Sequence, residues 1–169
     1  KQVNDFNNGI LLGGMQTEPL ATPFSFGVAG YPEKHDEAMN LDTDIAHLKA
    51  KVAMGAKRIV TQMFFDNSKY FAFVDRLRSE GITIPIIPGI KPLTTLNHCT
   101  MLPRTFHIDF PQELANEFEK CSSNDDVKAL GVEWGIQQVR ELKEAGVPIV
   151  HFYTMNAAYS TELIIKQTL

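Results

Sequence analysis

Apolar residues in this chain alternate between short unbroken runs and stretches where they recur every three or four positions. The runs cover residues 24–31 (FSFGVAGY), 58–65 (RIVTQMFF), 84–90 (IPIIPGI) and 149–154 (IVHFYT). Runs of this kind are expected of parallel strands covered on both faces. Between the first two, Ile45, Leu48 and Val52 fall at helical spacing and predict a helix over 41–54, capped by Asn40 and stopped at Gly55. Tyr70, Phe71, Val74 and Leu77 predict a second, capped by Asp66 or Asn67 and stopped at Gly81. Thr94 or Thr95 is expected to cap a short helix reaching Leu102, and residues 111–120 read as another. Asn124 or Asp125 opens the longest helix, which turns Val127, Leu130, Trp134, Val139 and Leu142 inward and ends at Gly146. A last helix is expected from Thr161, and residues 1–23 read as an irregular lead-in.

Three helices thus end in glycine just before a strand, at Gly55, Gly81 and Gly146. This is the rhythm of repeated β-α units, so the class is α/β with parallel strands. A strand followed by GxGxxG would indicate a dinucleotide-binding open sheet, but Gly13-Gly14 follows no clear strand, which favours a barrel. A complete (β/α)8 barrel takes about 250 residues. Four units in 169 residues therefore read as half of one, with two open edges that invite association.

Composition narrows this little. Apolar residues make up 44% and charged residues 21%, as in ordinary globular domains. A net charge of −4 argues against a nucleic-acid-binding surface. No apolar run has the length of a membrane-spanning helix, and the first ten residues lack a signal-peptide layout. Cys99 and Cys121 read as two reduced thiols of a cytoplasmic protein. The five histidines form no metal-ligand spacing, and the chain opens on Lys1, as an internal piece of a longer protein would.

In parallel α/β architectures, function collects at the carboxyl ends of strands. There, residues 31–37 (YPEKHDE) pack an aromatic ring, a histidine and several charges into one βα loop; the same residues also suit an ordinary solvated loop. Asp44, His47 and Lys51 share one face of the following helix and suit a phosphate and a ribose, or simply an exposed face. Thr61 and Gln62 interrupt an apolar strand. A buried unpaired amide costs about 1–3 kcal/mol, so Gln62 is expected to be hydrogen-bonded or to face a wet cavity. His151 and Tyr153 share a strand face, and His151 reads more readily as a core histidine than as a ligand. Phe64, Phe65, Tyr70, Phe71 and Phe73 read as core.

Four strings then occur in order: VAGYPEKH (28–35), TQMFFD (61–66), IIPGIKP (86–92) and HFYTMN (151–156). They closely resemble the carboxyl-terminal half of the 5,10-methylenetetrahydrofolate reductase family, from about Phe24 onward. The resemblance implies strands five to eight of a (β/α)8 TIM barrel carrying FAD. The family reduces 5,10-methylenetetrahydrofolate to 5-methyltetrahydrofolate with NADH or NADPH, in one-carbon metabolism leading to methionine. It places Tyr31, His35 and Ala38 at the FAD, with Asp44 bonding a hydroxyl and Lys51 pairing with the pyrophosphate. His47 stands where bacterial relatives can have an amide side chain. Gln62 matches the glutamine that contacts folate and nicotinamide in turn. His98 and Leu102 fall on the segment covering the substrate, Leu102 where some relatives carry a stacking ring. Ala157 departs from a common arginine. The family's general-acid glutamate and flavin-tuning Arg-Gly-Asp segment lie on strands outside these 169 residues, and neither Glu33 nor Glu37 is read as a replacement. The implied partners are a folate substrate, an amino-terminal half-barrel and, when intact, further copies of itself; no metal, nucleic acid or membrane is expected. The isolated chain is expected to be inactive. A non-catalytic half-barrel that serves as an assembly module is the alternative, and the survival of Tyr31, His35, Asp44, Lys51 and Gln62 weighs against it.

Overall fold

The computed structural model describes residues 1–155 and 158–169. Helix α1 (Gln2–Asn7) and a single 3-10 turn (Leu12–Gly14) occupy the lead-in, which is less irregular than its polar pattern suggested. There follow β1 (Gly27–Gly30), α2 (Leu41–Ala53), β2 (Arg58–Met63), α3 (Asn67–Ser79) and β3 (Ile86–Ile90). The chain continues through α4 (His98–Phe106), α5 (Gln112–Phe118), α6 (Asn124–Glu144), β4 (His151–Phe152) and α7 (Ala158–Thr168). The strands form one sheet in the order β1-β2-β3-β4, and each adjacent pair is parallel.

The helices cover one face of this sheet. Ile59, Ile86, Ile90 and Phe152 point into a core with Leu48 of α2, Phe73 and Leu77 of α3, Val139 and Leu142 of α6 and Ile164 of α7. The alternate strand residues tell a different story: Ala29 and His151 are exposed, and Val60, Gln62 and Ile87 are half-buried. A parallel sheet with one face dressed in helices and the other open satisfies only half of what its apolar strands require. His151 belongs to that open face, with its ring edge-on to Tyr153 at 4.7 Å, which corrects its reading as a core histidine. Phe64, Phe65, Tyr70 and Phe73 are buried as expected, while Phe71 packs half-buried at the margin.

The starts of α4 and α7 differ from their expected positions, and α6 takes its cap from a residue the pattern did not single out. Helix α4 begins at His98 because the His98 Nδ1 accepts the Thr94 N–H (3.2 Å), which holds residues 94–97 in a turn. Helix α6 is capped by Ser123. Its hydroxyl accepts the Asp126 N–H, and the Asp126 carboxylate accepts the Ser123 N–H in return, a reciprocal capping box. Asn124 opens α6 as expected, and its side-chain carbonyl accepts the Leu96 N–H at 2.9 Å. The last helix starts three residues earlier than Thr161, and β4 is shorter than its apolar run, being paired only with β3.

A second, smaller core joins the ends of the strands to the α4–α5 region: Met63, Phe65, Leu93, Leu102, Ile108, Leu114, Phe118 and Val127. Helix α6 meets it through glycine. A Cβ on Gly131 would stand 2.3 Å from the Leu93 carbonyl oxygen, whereas one on Gly135 would meet only the Ile164 side chain, at 2.6 Å. Backbone cannot retreat as a rotamer can. Gly131→Ala is therefore expected to cost about 1–3 kcal/mol and Gly135→Ala clearly less, read as the shift in urea midpoint at constant slope.

Candidate functional site

The first βα loop is built to hold its own shape. Lys34 takes a left-handed conformation (φ 80°), and its ammonium donates to the carbonyls of His35 (2.8 Å), Asp36 (3.0 Å) and Ala38 (2.8 Å). Asp44, in the first turn of α2 and nearly buried, accepts the His35 N–H at 2.9 Å. A carboxylate in that turn also answers the positive end of the helix dipole. The His35 ring packs edge-on against Tyr31 at 4.5 Å, and its Nδ1 accepts the Glu37 N–H at 3.1 Å. With Nδ1 accepting, the proton of neutral His35 resides on Nε2, which becomes a donor. Burial, then the Asp44 and Glu37 carboxylates, push the Tyr31 hydroxyl above its usual range, so it stays a neutral donor.

Gln62 sits beside this loop because the ladder breaks there. Val60 pairs with Ile87 and Met63 with Gly89, so β2 spends one residue more than β3 over the same span. Such bulges re-aim side chains at strand ends. The Thr61 hydroxyl accepts the Gly89 N–H (2.9 Å) and the Thr61 carbonyl accepts the Tyr153 hydroxyl (2.8 Å). Gln62 Oε1 accepts the Met63 N–H at 2.9 Å, and among the described residues its amide nitrogen has no partner. Gln62 is thus hydrogen-bonded at one end, and its side chain lines a narrow cleft with Tyr31, Glu33, Lys34, Phe106 and His107. Larger cavities, such as one of about 400 Å³ beside Trp134, lie between helices away from these groups.

The structure brings Tyr31, His35, Ala38, Asp44 and Gln62 to one end of the sheet. Ala38 is buried, and its carbonyl is one of the three that hold Lys34. Asp44 already spends one oxygen on the loop, leaving the other for a ligand. His47 and Lys51 are both exposed, and Lys51 lies two turns further along α2, roughly 10 Å from Asp44 by helix rise. His98 and Leu102 turn inward: Leu102 is 1% exposed in the second core, and His98 is nearly buried with its Nδ1 on the Thr94 N–H. Burial, reinforced by Lys91, pushes His98 down to about 4, so it is neutral. Ala157 lies outside the described residues. No group of three or more metal-ligating side chains gathers among the described residues, and none of their helices is long and apolar enough to cross a membrane.

Two residues carry more than sequence reasoning assigned them. Lys91 is buried at the end of β3, where among the described residues its ammonium makes one long hydrogen bond, to the Pro92 carbonyl at 3.4 Å, and burial lowers its pKa. A lysine bracketed by proline at the end of an apolar run was the available signal. Glu33 was set aside as a loop carboxylate, yet burial raises it to about 7. Nothing local in the sequence signals that.

Comparison with known proteins decides the family. The model of the methylenetetrahydrofolate reductase family matches residues 15–169. The chain belongs to this family. It is 38% identical over 145 residues to methylenetetrahydrofolate reductase 1 of Schizosaccharomyces pombe, covering 85% of this chain and 24% of that protein. It is 37% identical over 136 residues to 5,10-methylenetetrahydrofolate reductase of Escherichia coli K12, covering 80% of this chain and 46% of that one. The chain therefore spans about a quarter to about half of the relatives it matches. A solved Clostridium thermocellum structure, described as an uncharacterized protein that binds two copies of 5-methyl-5,6,7,8-tetrahydrofolic acid, shares the fold. Its TM-score is 0.56 at 18% identity, over 84% of this chain and 52% of that one.

The loop that carries Tyr31 and His35 depends on Asp44 through a charge-assisted hydrogen bond. Asp44→Ala is expected to destabilise the fold by about 1.5–3 kcal/mol and to speed exchange of the His35 amide, with Asp44→Asn between it and wild type; chemical denaturation and amide exchange read the two effects.

Proposed function

We propose that this chain supplies strands five to eight of the (β/α)8 barrel of a flavin-dependent methylenetetrahydrofolate reductase. The observation that carries the reading is the placement of the family's strings. Each of the four begins within a parallel strand and runs past its carboxyl end, the fourth as far as Met155 among the described residues, and among those residues no helix covers one face of the sheet. An opposing set of four strands is the complement such a face needs, and an N-terminal half-barrel is the partner proposed for it.

The groups at this end fit a flavin dinucleotide. A tyrosine hydroxyl and a histidine Nε2–H are donors for ring and ribityl oxygens, and Lys51 is an exposed cation for a pyrophosphate. FAD, when bound, supplies the hydride chemistry that links NADH or NADPH to 5,10-methylenetetrahydrofolate. The chain's own residues position. Asp44 fixes the His35 backbone, Lys34 fixes the loop, and Gln62 keeps its amide nitrogen unpaired among the described residues, available to nicotinamide or folate in turn at the uncovered face of the sheet. Among the described residues that line the cleft the one carboxyl is Glu33, and one of its oxygens holds the Asp109 N–H while the other is sealed from solvent. The general acid is therefore assigned to the complementary half.

Two measurements test this. The 169-residue chain alone is expected to show no flavin absorption and no NAD(P)H oxidation with menadione as acceptor, and stoichiometric FAD with turnover from it overturns the half-barrel assignment. In the complete enzyme, Gln62→Leu leaves a ligand polar group unpaired and is expected to lower folate kcat/KM by roughly ten- to a hundredfold while FAD content is unchanged. Wild-type folate kinetics in that variant remove Gln62 from the substrate contact.

A further inference from the structure

The cleft beside Gln62 is closed on one side by the end of α4 and the residues that follow: Phe106, His107 and Ile108. His107 ends the helix in a left-handed conformation (φ 53°), so the chain leaves α4 through a residue that pays for its geometry. Three polar contacts pin this corner to the opposite wall. Glu33 Oε2 accepts the Asp109 N–H at 3.2 Å, Lys69 of α3 stands 3.6 Å from the Asp109 carboxylate, and His107 Nδ1 lies 3.4 Å from Asp36. The last two are exposed and screened, and weak on that account. Glu33 differs from them. Its Oε1 is sealed from solvent and, among the described residues, has no hydrogen-bond partner, while the cleft it lines has room of only about 10 Å³. A carboxylate oxygen in that position is costly; a protonated carboxyl is far less so.

We infer that Glu33 is a proton-operated latch on the 106–109 segment, closed when its carboxyl is neutral and released when the carboxyl ionises. The inference does not depend on which ligand the cleft takes. The groups facing Glu33 come from three elements: Asp109 and His107 on the segment, Lys69 on α3 with Asp66 at its cap, and Tyr31, Lys34 and Asp36 on its own loop. Burial raises the carboxyl most, the Asp109 and Asp66 charges add to that, and the Asp109 N–H and Lys69 oppose it, leaving Glu33 near 7. The sign follows from linkage. The closed state binds the proton more tightly than an open state with Glu33 in water, so closure is fully supported below the ordinary carboxyl range. That support is lost as pH rises through about 7.

The test follows backbone amide exchange of residues 103–110 in the full-length protein by mass spectrometry, corrected for the intrinsic pH dependence of exchange. Protection is expected to fall by about ten- to thirtyfold between pH 5.5 and 8.5. Glu33→Gln, a neutral isostere, is expected to keep the low-pH protection throughout. Asp36→Asn removes only the His107 contact and is expected to retain the step. Should Glu33→Gln fail to fold, the titration of the wild-type Glu33 carboxyl by carbon NMR replaces it, with a midpoint near 7 expected. A flat wild-type exchange profile, a Glu33→Gln profile that follows wild type, a step abolished by Asp36→Asn or an ordinary carboxyl midpoint overturns the latch.

Discussion

The candidate site depends on one interruption of the sheet, the extra residue that β2 carries between Val60 and Met63. A regular ladder would carry its pairing straight through Thr61 and Gln62. Here Thr61 keeps its pairing with Gly30 of β1 but leaves the β2–β3 register, where its hydroxyl takes the Gly89 N–H and its backbone carbonyl takes the Tyr153 hydroxyl. One residue thereby joins the ends of β2 and β3 to the residue following β4. The arrangement is possible only because residue 89 is glycine: a Cβ there would lie 2.4 Å from the Thr61 carbonyl oxygen and 2.5 Å from the Tyr153 ring. The strand end beyond is held from the helix side. Trp134 and Gln138 of α6 donate to the carbonyls of Phe65 and Phe64, so the polar groups exposed where the ladder stops are satisfied.

The second support of the site is local and electrostatic. A βα loop with several charges would ordinarily be solvated and mobile, but this one folds onto an ammonium and a carboxylate. Lys34 collects three carbonyls and Asp44 takes one N–H. Tyr31 and His35 are thus presented on a preformed surface, and a ligand that used them would not have to order the loop on arrival. The same bonds limit what Asp44 can do. It is a positioning group first, and any ligand contact falls to its remaining oxygen.

Much of this was legible in the chain because it is governed by near neighbours. Strand runs, the glycine stops at Gly55, Gly81 and Gly146, and the Asn40 cap of α2 all emerge from residues within a turn or two of each other, and all stand in the structure. What was not legible is governed by distant partners. The start of α4 depends on a ring nitrogen reaching back four residues, and the cap of α6 on a serine–aspartate exchange that leaves Asn124 free for Leu96. His151 faces outward because no layer covers its side of the sheet, and periodicity alone cannot report a missing layer. Leu102 turns into the α4–α5 core with Phe65, Leu93 and Leu114, and His98 is buried with its Nδ1 on the Thr94 N–H. The family resemblance located the segment, and packing decided which of its side chains face the cleft.

Glu33 shows how little proximity says about role. It lines the same cleft as Gln62 and titrates where a general acid should, so chemistry alone would nominate it. Geometry argues otherwise. An acid must offer its proton along a path to the reacting atom, and this carboxyl has one oxygen on a backbone N–H and the other walled off in a space of about 10 Å³. The raised pKa reports the cost of keeping a charge there, and that cost is charged to the 106–109 corner rather than to a substrate. A carboxyl can thus acquire an active-site titration simply by being a hinge pin.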